Sequence, residues 1–158
     1  MKKSTLIICS AFFLFSCTEE VPKARLLEFK INGQLYSYEG YAIRYCDYNG
    51  DAKLGYDWHI YNLGQNALDI QAYDNTFTKT TFSYPGFQIK YTVELSAGQS
   101  KIYESAGGLL RLLGQESGDV SGDFHFKMKN ILNPLDSVMI DDGYFRIWLE
   151  KRDRVFSK

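Results

Sequence analysis

The sequence predicts an all-β protein, an antiparallel β-sandwich with an open β-barrel as the alternative. Three observations carry that reading. The 158 residues include 12 Tyr, 11 Phe and 2 Trp, types that fit a pleated, half-buried surface. Apolar and polar residues alternate through short segments, the pattern of strands with one solvated face. Turn signals recur about every 8–12 residues, and no long helical period interrupts them.

Taken in order, a polar tether with Pro22 precedes the first element. Leu27, Phe29 and Ile31 then alternate with Glu28 and Lys30, Asn32-Gly33 turns the chain, and Leu35-Tyr36-Ser37-Tyr38 answers. Asn-Gly between alternating segments is a strong hairpin signal, because both central residues of a type I′ turn need positive φ. Ala42 to Cys46 extends this second strand or begins a third, and Asp47 to Gly55 reads as a loop by composition. Strands follow at 56–62, 68–73 and 78–84, with Leu63-Gly64-Gln65-Asn66 and Asp74-Asn75 between them and Pro85-Gly86 as the break. Phe87, Ile89, Tyr91 and Val93 form one face of the next strand, and Ser96-Ala97-Gly98-Gln99 turns it into Lys101-Ile102-Tyr103-Glu104.

Leu109-Leu110-Arg111-Leu112-Leu113 lies between glycines and is too short for a lasting helix. In a β chain it reads as a strand buried on both faces, with a short helix as the lesser option. Residues 114–122 turn. Asp123 to Lys129 then alternates, with Phe124, Phe126 and Met128 inward. Asp141-Asp142-Gly143 reads as a tight turn before the last strand, 143–151. That strand sets Phe145, Ile147 and Leu149 on one side and Tyr144, Arg146, Trp148 and Glu150 on the other. The count is nine or ten strands in a single domain, residues 25–158.

The chain opens on Met1-Lys2-Lys3, an apolar run from Leu6 to Phe15, and then Ser16-Cys17. A basic start, an apolar segment of about ten residues and a small residue form the shape of an export signal. The run is too short to span a bilayer, which takes about 20 apolar residues. Leu14-Phe15-Ser16-Cys17 resembles the lipobox of bacterial lipoproteins, which implies a signal peptide over 1–16, diacylation of Cys17 and an acylated tether over 17–24. An ordinary secretory signal would want a small-x-small site, but Cys17 leads straight into Thr18-Glu19-Glu20. A buried core helix would want a polar face, and this segment has none. Glu19-Glu20 resemble the acidic export tag of some surface lipoproteins of Bacteroidota. Two acids in a tether are also ordinary, so a periplasmic-facing and a surface location in the outer membrane both stay open.

Removal of Lys2 and Lys3 with the signal takes the 18 basic side chains to 16, against 19 acidic ones. That formal −3, spread along the chain, excludes the broad basic face a nucleic-acid binder needs. Lys151-Arg152-Asp153-Arg154 is the one basic cluster and reads as a solvated chain end. With Cys9 gone and Cys17 acylated, Cys46 is alone. The domain then relies on its core rather than on a disulfide, and Cys46 reads as a buried, inert thiol.

A family resemblance rests on three segments. Phe29-Lys30-Ile31-Asn32-Gly33-Gln34-Leu35-Tyr36 is similar to an opening F-x-x-N-G-x-x-F/Y. Gly118-Asp119-Val120-Ser121-Gly122-Asp123-Phe124-His125-Phe126 and Val138-Met139-Ile140-Asp141-Asp142-Gly143-Tyr144-Phe145-Arg146-Ile147 are similar to a glycine-led G-x-F-x-F strand and a V-x-I-x-x-G-x-F strand. Together with the lipobox they resemble small Bacteroidota lipoproteins of unknown function. Residues 40–100 carry no part of the likeness. It implies a β fold and an envelope location, and it transfers no active site.

Asp47-Tyr48-Asn49-Gly50-Asp51 places oxygens at alternate positions, as calcium loops do. The sixth and twelfth places hold Ala52 and Trp58 instead of Gly and Glu, so a polar turn with Asx capping is the simpler reading. His59 and His125 are isolated and belong to no zinc pattern. No G-x-S-x-G elbow occurs, and Gly107-Gly108 lacks the Lys-Ser/Thr of a phosphate loop. A glycosidase needs two convergent carboxylates, which sequence cannot place. The expectation is therefore a non-enzyme without cofactor or metal. Two alternatives stand beside it: an accessory subunit of an outer-membrane assembly and, third, a glycan-acting enzyme.

Recognition is what remains. Tyr144 and Trp148 share the face opposite Phe145, Ile147 and Leu149, where aromatics stack sugars or pack against a protein. They are the expected binding face for an envelope protein or glycan. Tyr56, Trp58 and Ile60 also share a face, which reads as core.

Overall fold

The computed structural model describes residues 24–49, 51–76, 80–116 and 118–156. Residues 1–16, read above as an export signal, and Cys17 lie outside them. Nine strands make up almost everything described: β1 Arg25–Ile31, β2 Gln34–Asn49, β3 Ala52–Asn62, β4 Ala67–Asp74, β5 Thr81–Ser83, β6 Phe87–Glu94, β7 Ser100–Glu116, β8 Asp119–Asn130 and β9 Ser137–Phe156. One 3₁₀ turn, Ser96–Gly98, links β6 to β7. The all-β, antiparallel architecture read from the sequence is present.

All nine strands belong to one sheet. Eight of them run up and down in chain order, β1-β2-β3-β4-β6-β7-β8-β9, each antiparallel to the next. β9 then pairs antiparallel with β1 and completes a ring-like circuit. β5 occupies the second half of the β7 edge whose first half β6 uses. The opposed layers of a sandwich are here opposite walls of one sheet. Phe29 of β1 meets Tyr91 of β6 with ring centroids 6.0 Å apart, although these strands are far apart in the pairing order.

Inward alternation builds the core. Leu27, Phe29, Phe124, Phe126, Met128, Phe145, Ile147 and Leu149 are all at most 5% exposed. Their rings interlock: Phe124 stacks on Phe126 at 4.9 Å, and Phe126 meets Phe87 at 5.2 Å. Aromatic contacts of this kind add about 0.5–1.5 kcal/mol each beyond area burial. Asn32 and Gly33, with φ of 52° and 78°, make the expected tight turn.

Several expectations are corrected. Strands are longer than the turn signals implied, reaching 16, 17 and 20 residues in β2, β7 and β9. Asp141-Asp142-Gly143 is an irregularity inside β9, where the register to β8 shifts and Asp142 takes φ 48°. A side chain at Gly143 would strike the Phe124 ring, so the glycine is a close-approach residue rather than a turn residue. Gly40 is similar: a Cβ there would lie 2.6 Å from Ile147 Cδ1. The segment 109–113 is a strand, but it is buried on one face only, with Leu110 at 0% and Leu113 at 58% exposure.

The expected loop from Asp47 to Gly55 shrinks to a hairpin end, because β2 continues to Asn49 and β3 starts at Ala52. What prolongs it is β9. Beyond the point where β1 begins, Leu149–Phe156 pairs in parallel with Ala42–Asn49. Lys151 to Arg154 thus belongs to a strand, with Lys151, Arg152 and Asp153 exposed as expected and Arg154 half-buried. β1 is wedged into the fork between β2 and β9.

Candidate functional site

Outward side chains of neighbouring strands fall into rows because register aligns them. Tyr41 of β2 stands opposite Tyr61 of β3, Tyr61 opposite Asp69 of β4, and Asp69 opposite Lys90 of β6. Lys90 stands opposite Glu104 of β7. A second row runs beside it: Glu150, Ile43, His59, Gln71 and Gln88. The residues between these on each strand, such as Ile60, Ile70 and Ile89, are buried in the core. The two rows therefore lie on the outer face and cross the strands.

Along them the surface is hollowed. At the fork a groove of about 460 Å³ is lined by Arg25, Tyr41, Tyr61, Trp148 and Glu150. It adjoins a second groove of about 520 Å³, which shares Tyr61 and adds Tyr45, His59, Asp69, Lys90 and Arg152. A third, of about 450 Å³, shares Asp69 and Lys90 and adds Gln71, Gln88 and Glu104. The shared walls make one trough running from β9 to β7.

Its two ends differ in chemistry. At the fork Tyr41 and Tyr61 stack with centroids 5.5 Å apart, and the Arg25 guanidinium lies 5.5 Å from the Tyr41 ring. Arg25 also pairs with Glu39, whose hydrogen bond from the guanidinium holds that carboxyl below its usual range. Arg152 Nε donates to Glu150 at 2.7 Å on the trough wall. Partial burial pushes the Tyr61 phenol above its usual value, so it stays a neutral donor across the working pH range. Farther along, His59 Nε2 lies 3.2 Å from Asp69 Oδ1, yet neither atom has a hydrogen bond of good geometry among the described residues. Lys90 and Glu104 make no ion pair among the described residues.

Of the expected binding pair, Trp148 is 38% exposed and forms a wall of the fork groove. Its backbone N–H donates to the Ala24 carbonyl at 2.6 Å, so the chain enters β1 beside this groove. Tyr144 is 37% exposed on the same face of β9, but it stands opposite Glu28 and Asp123, away from the trough. Trp58 and Ile60 are core, as read, and the Arg44 guanidinium lies 4.3 Å from the Tyr56 ring and 5.3 Å from the Trp58 ring. Cys46 is half-buried rather than buried and carries a free thiol. His125 is exposed on β8. Asp47 is gripped by Arg154, with Nε–Oδ1 2.8 Å and Nη2–Oδ2 2.9 Å, and this occupies the first oxygens a calcium loop would offer. Among the described residues no cluster of acidic, His or Cys side chains is placed to hold a metal ion.

Tyr41, Tyr61, Asp69 and Lys90 were not singled out by sequence. Each is an unremarkable outward residue on its own strand, and only the register between four strands makes them neighbours. The arrangement supplies flat aromatic faces, neutral amides and charges of both signs, a set suited to holding a polar ligand. The chain matches no family model, no curated protein and no solved structure, so the trough is read from its own geometry.

Proposed function

We propose that the protein is a non-catalytic, lipid-anchored lipoprotein of the outer membrane that binds a protein or glycan partner through the outer trough beginning at Trp148. The observation that carries this reading is the fork groove, where half-exposed Trp148 faces a groove shared with stacked Tyr41 and Tyr61. Amphipathic rings in a concave site with a few polar groups are a common basis for recognition. Anchoring through Cys17 fits the same picture. Acyl chains contribute about 0.8 kcal/mol per buried CH₂, so two or three chains hold a protein on the membrane. The eight residues from Cys17 to β1 reach at most about 28 Å when extended. The groove would then work close to the membrane surface.

Two measurements test this. Mass spectrometry of the native protein is expected to find acyl chains on Cys17, and an unmodified thiol there rejects the anchor. Trp148→Ala is expected to lose retention on an array of envelope proteins and glycans that the wild type binds. Equal retention by both proteins rejects the groove.

The accessory-subunit reading has its own support. Among the described residues, the β9 end from Glu150 to Phe156 pairs with β2 on one side only. It carries Val155 at 69% and Phe156 at 50% exposure. An open strand edge of this kind accepts a strand from another chain. A cross-link at Val155 that Trp148→Ala leaves unchanged would favour it.

A further inference from the structure

The geometry points to the class of ligand, and we infer that the trough holds a linear, uncharged polysaccharide strand laid across the sheet. This rests on the binding-module reading and narrows it.

The shape argues first. Neighbouring strands lie about 4.8 Å apart. From Trp148 on β9 to Glu104 on β7 the trough crosses five such spacings, about 24 Å along the sheet. That is the length of an oligosaccharide, well beyond a single sugar. The row from Tyr41 to Glu104 keeps register, one side chain per strand, and follows the curve of the ring-like sheet, so it offers evenly spaced contacts to an extended chain that bends along the wall.

The chemistry argues next. A pyranose ring has an apolar face of C–H groups and a rim of hydroxyls, each both donor and acceptor. Trp148, Tyr41 and Tyr61 offer rings for the first. Gln71, Gln88, Asp69, Lys90 and Glu104 offer a mixture of donors and acceptors for the second. A protein partner would favour a different lining, since the centre of a protein–protein interface is depleted of charge. Here charges of both signs sit in the middle of the trough.

The charge balance fixes the third point. Arg25, Lys90 and Arg152 are answered by Asp69, Glu104 and Glu150. A polyanion such as a nucleic acid or an acidic glycan would meet a carboxylate beside every cation it approached. An uncharged glycan uses both signs as hydrogen-bonding groups.

The test is calorimetric titration of the full-length, detergent-solubilised protein with neutral β-glucan and α-mannan oligosaccharides of graded length, with oligogalacturonate as the charged comparison. The expected result is an affinity that rises with chain length until the trough is spanned, for at least one neutral series, with oligogalacturonate weaker. Tyr61→Ala should then weaken binding about tenfold, a difference of about 1.4 kcal/mol. Lys127→Ala, on the outer face of β8 and away from the trough, should leave binding unchanged. Absence of binding by every neutral series, with Trp148-dependent retention of an envelope protein intact, overturns the glycan and leaves the binding module standing. Loss of both overturns both. Length-independent binding, or tighter binding of oligogalacturonate, also overturns the inference.

Discussion

At one place on the outer face Arg154 closes over Asp47 and Asp57. A few strands away Lys90 stands between Asp69 and Glu104 and closes on neither. The two places use the same residue types on the same kind of surface. Arg154 makes a two-pronged contact with Asp47, reaches Asp57 with Nη2–Oδ2 2.7 Å, and stacks on Tyr45 at 4.2 Å from the ring centroid. Asp47 is 5% exposed as a result. The hydrogen bond to Asp47, ahead of that to Asp57, pushes the guanidinium pKa further above its usual value. Lys90, a point charge on a flexible stem, remains exposed in a groove. Polar groups that satisfy one another hold the fold together, whereas polar groups left facing a groove are available to something else. The same outer surface therefore divides into a clasp and a trough.

The clasp gives the largest expected effect. Arg154→Ala leaves the buried Asp47 carboxylate without its partner. Breaking a fully buried ion pair costs about 3–5 kcal/mol. Arg154 is itself 37% exposed, so water recovers part of that loss and about 2 kcal/mol of destabilisation is expected. Chemical denaturation measures it as a lower midpoint with an unchanged slope. Arg154→Lys should lose a smaller share, because the charge survives but the fork does not. An Arg154→Ala midpoint equal to wild type would mean the clasp is ornamental and the contrast with the trough false.

The clasp also marks what was legible in the sequence. Inward parity was readable from single strands, and Phe124, Phe126, Met128, Phe145, Ile147 and Leu149 are buried as their alternation implied. The Asn32-Gly33 turn was readable because positive φ restricts residue choice locally. Arg154 and Asp47 are 107 residues apart, and nothing local pairs them. Their meeting depends on β9 adding in parallel to β2, a long-range pairing set by where β1 begins. Gly143 misled for a related reason. Read along the chain it signals a turn, yet it is needed where the Phe124 ring of another strand comes close, as Gly40 is beside Ile147. Of the trough, Trp148 was visible as an outward aromatic. Tyr41, Tyr61, Asp69 and Lys90 were not, because strand parity says which face a residue takes and only register says which row.

A second closed cluster extends the contrast into pH. At the turn between β8 and β9, Asp136 accepts from Lys101 Nζ at 2.9 Å, Asn130 Nδ2 at 3.1 Å and Tyr103 Oη at 3.1 Å. The Lys101 bond, chief among these, holds the Asp136 carboxyl below its ordinary pKa. A carboxylate with a lower pKa folded than unfolded binds its proton more readily in the unfolded chain. Its stabilisation is therefore present above the unfolded value, about 4, and is lost as pH falls through the folded value. Stability should thus decline on acidification below about pH 4, and Asp136→Asn should flatten that decline. Equal slopes for the two proteins would remove Asp136 from the account.

Glu104→Gln is the smallest expected effect on the fold, and it separates the two kinds of surface most sharply. Glu104 is exposed and makes no ion pair among the described residues, so its replacement should move stability by less than about 0.5 kcal/mol. No clasp is opened and no buried group is left alone. The amide keeps the size and one acceptor of the acid but removes its charge. The trough then carries an excess of positive charge around Lys90, and oligogalacturonate should gain affinity relative to neutral oligosaccharides. A stability loss of about 2 kcal/mol from this substitution, as large as that of the clasp, would show that Glu104 belongs to a closed network after all. The trough would then be part of the scaffold, and the division of the outer face would fail at its most exposed point.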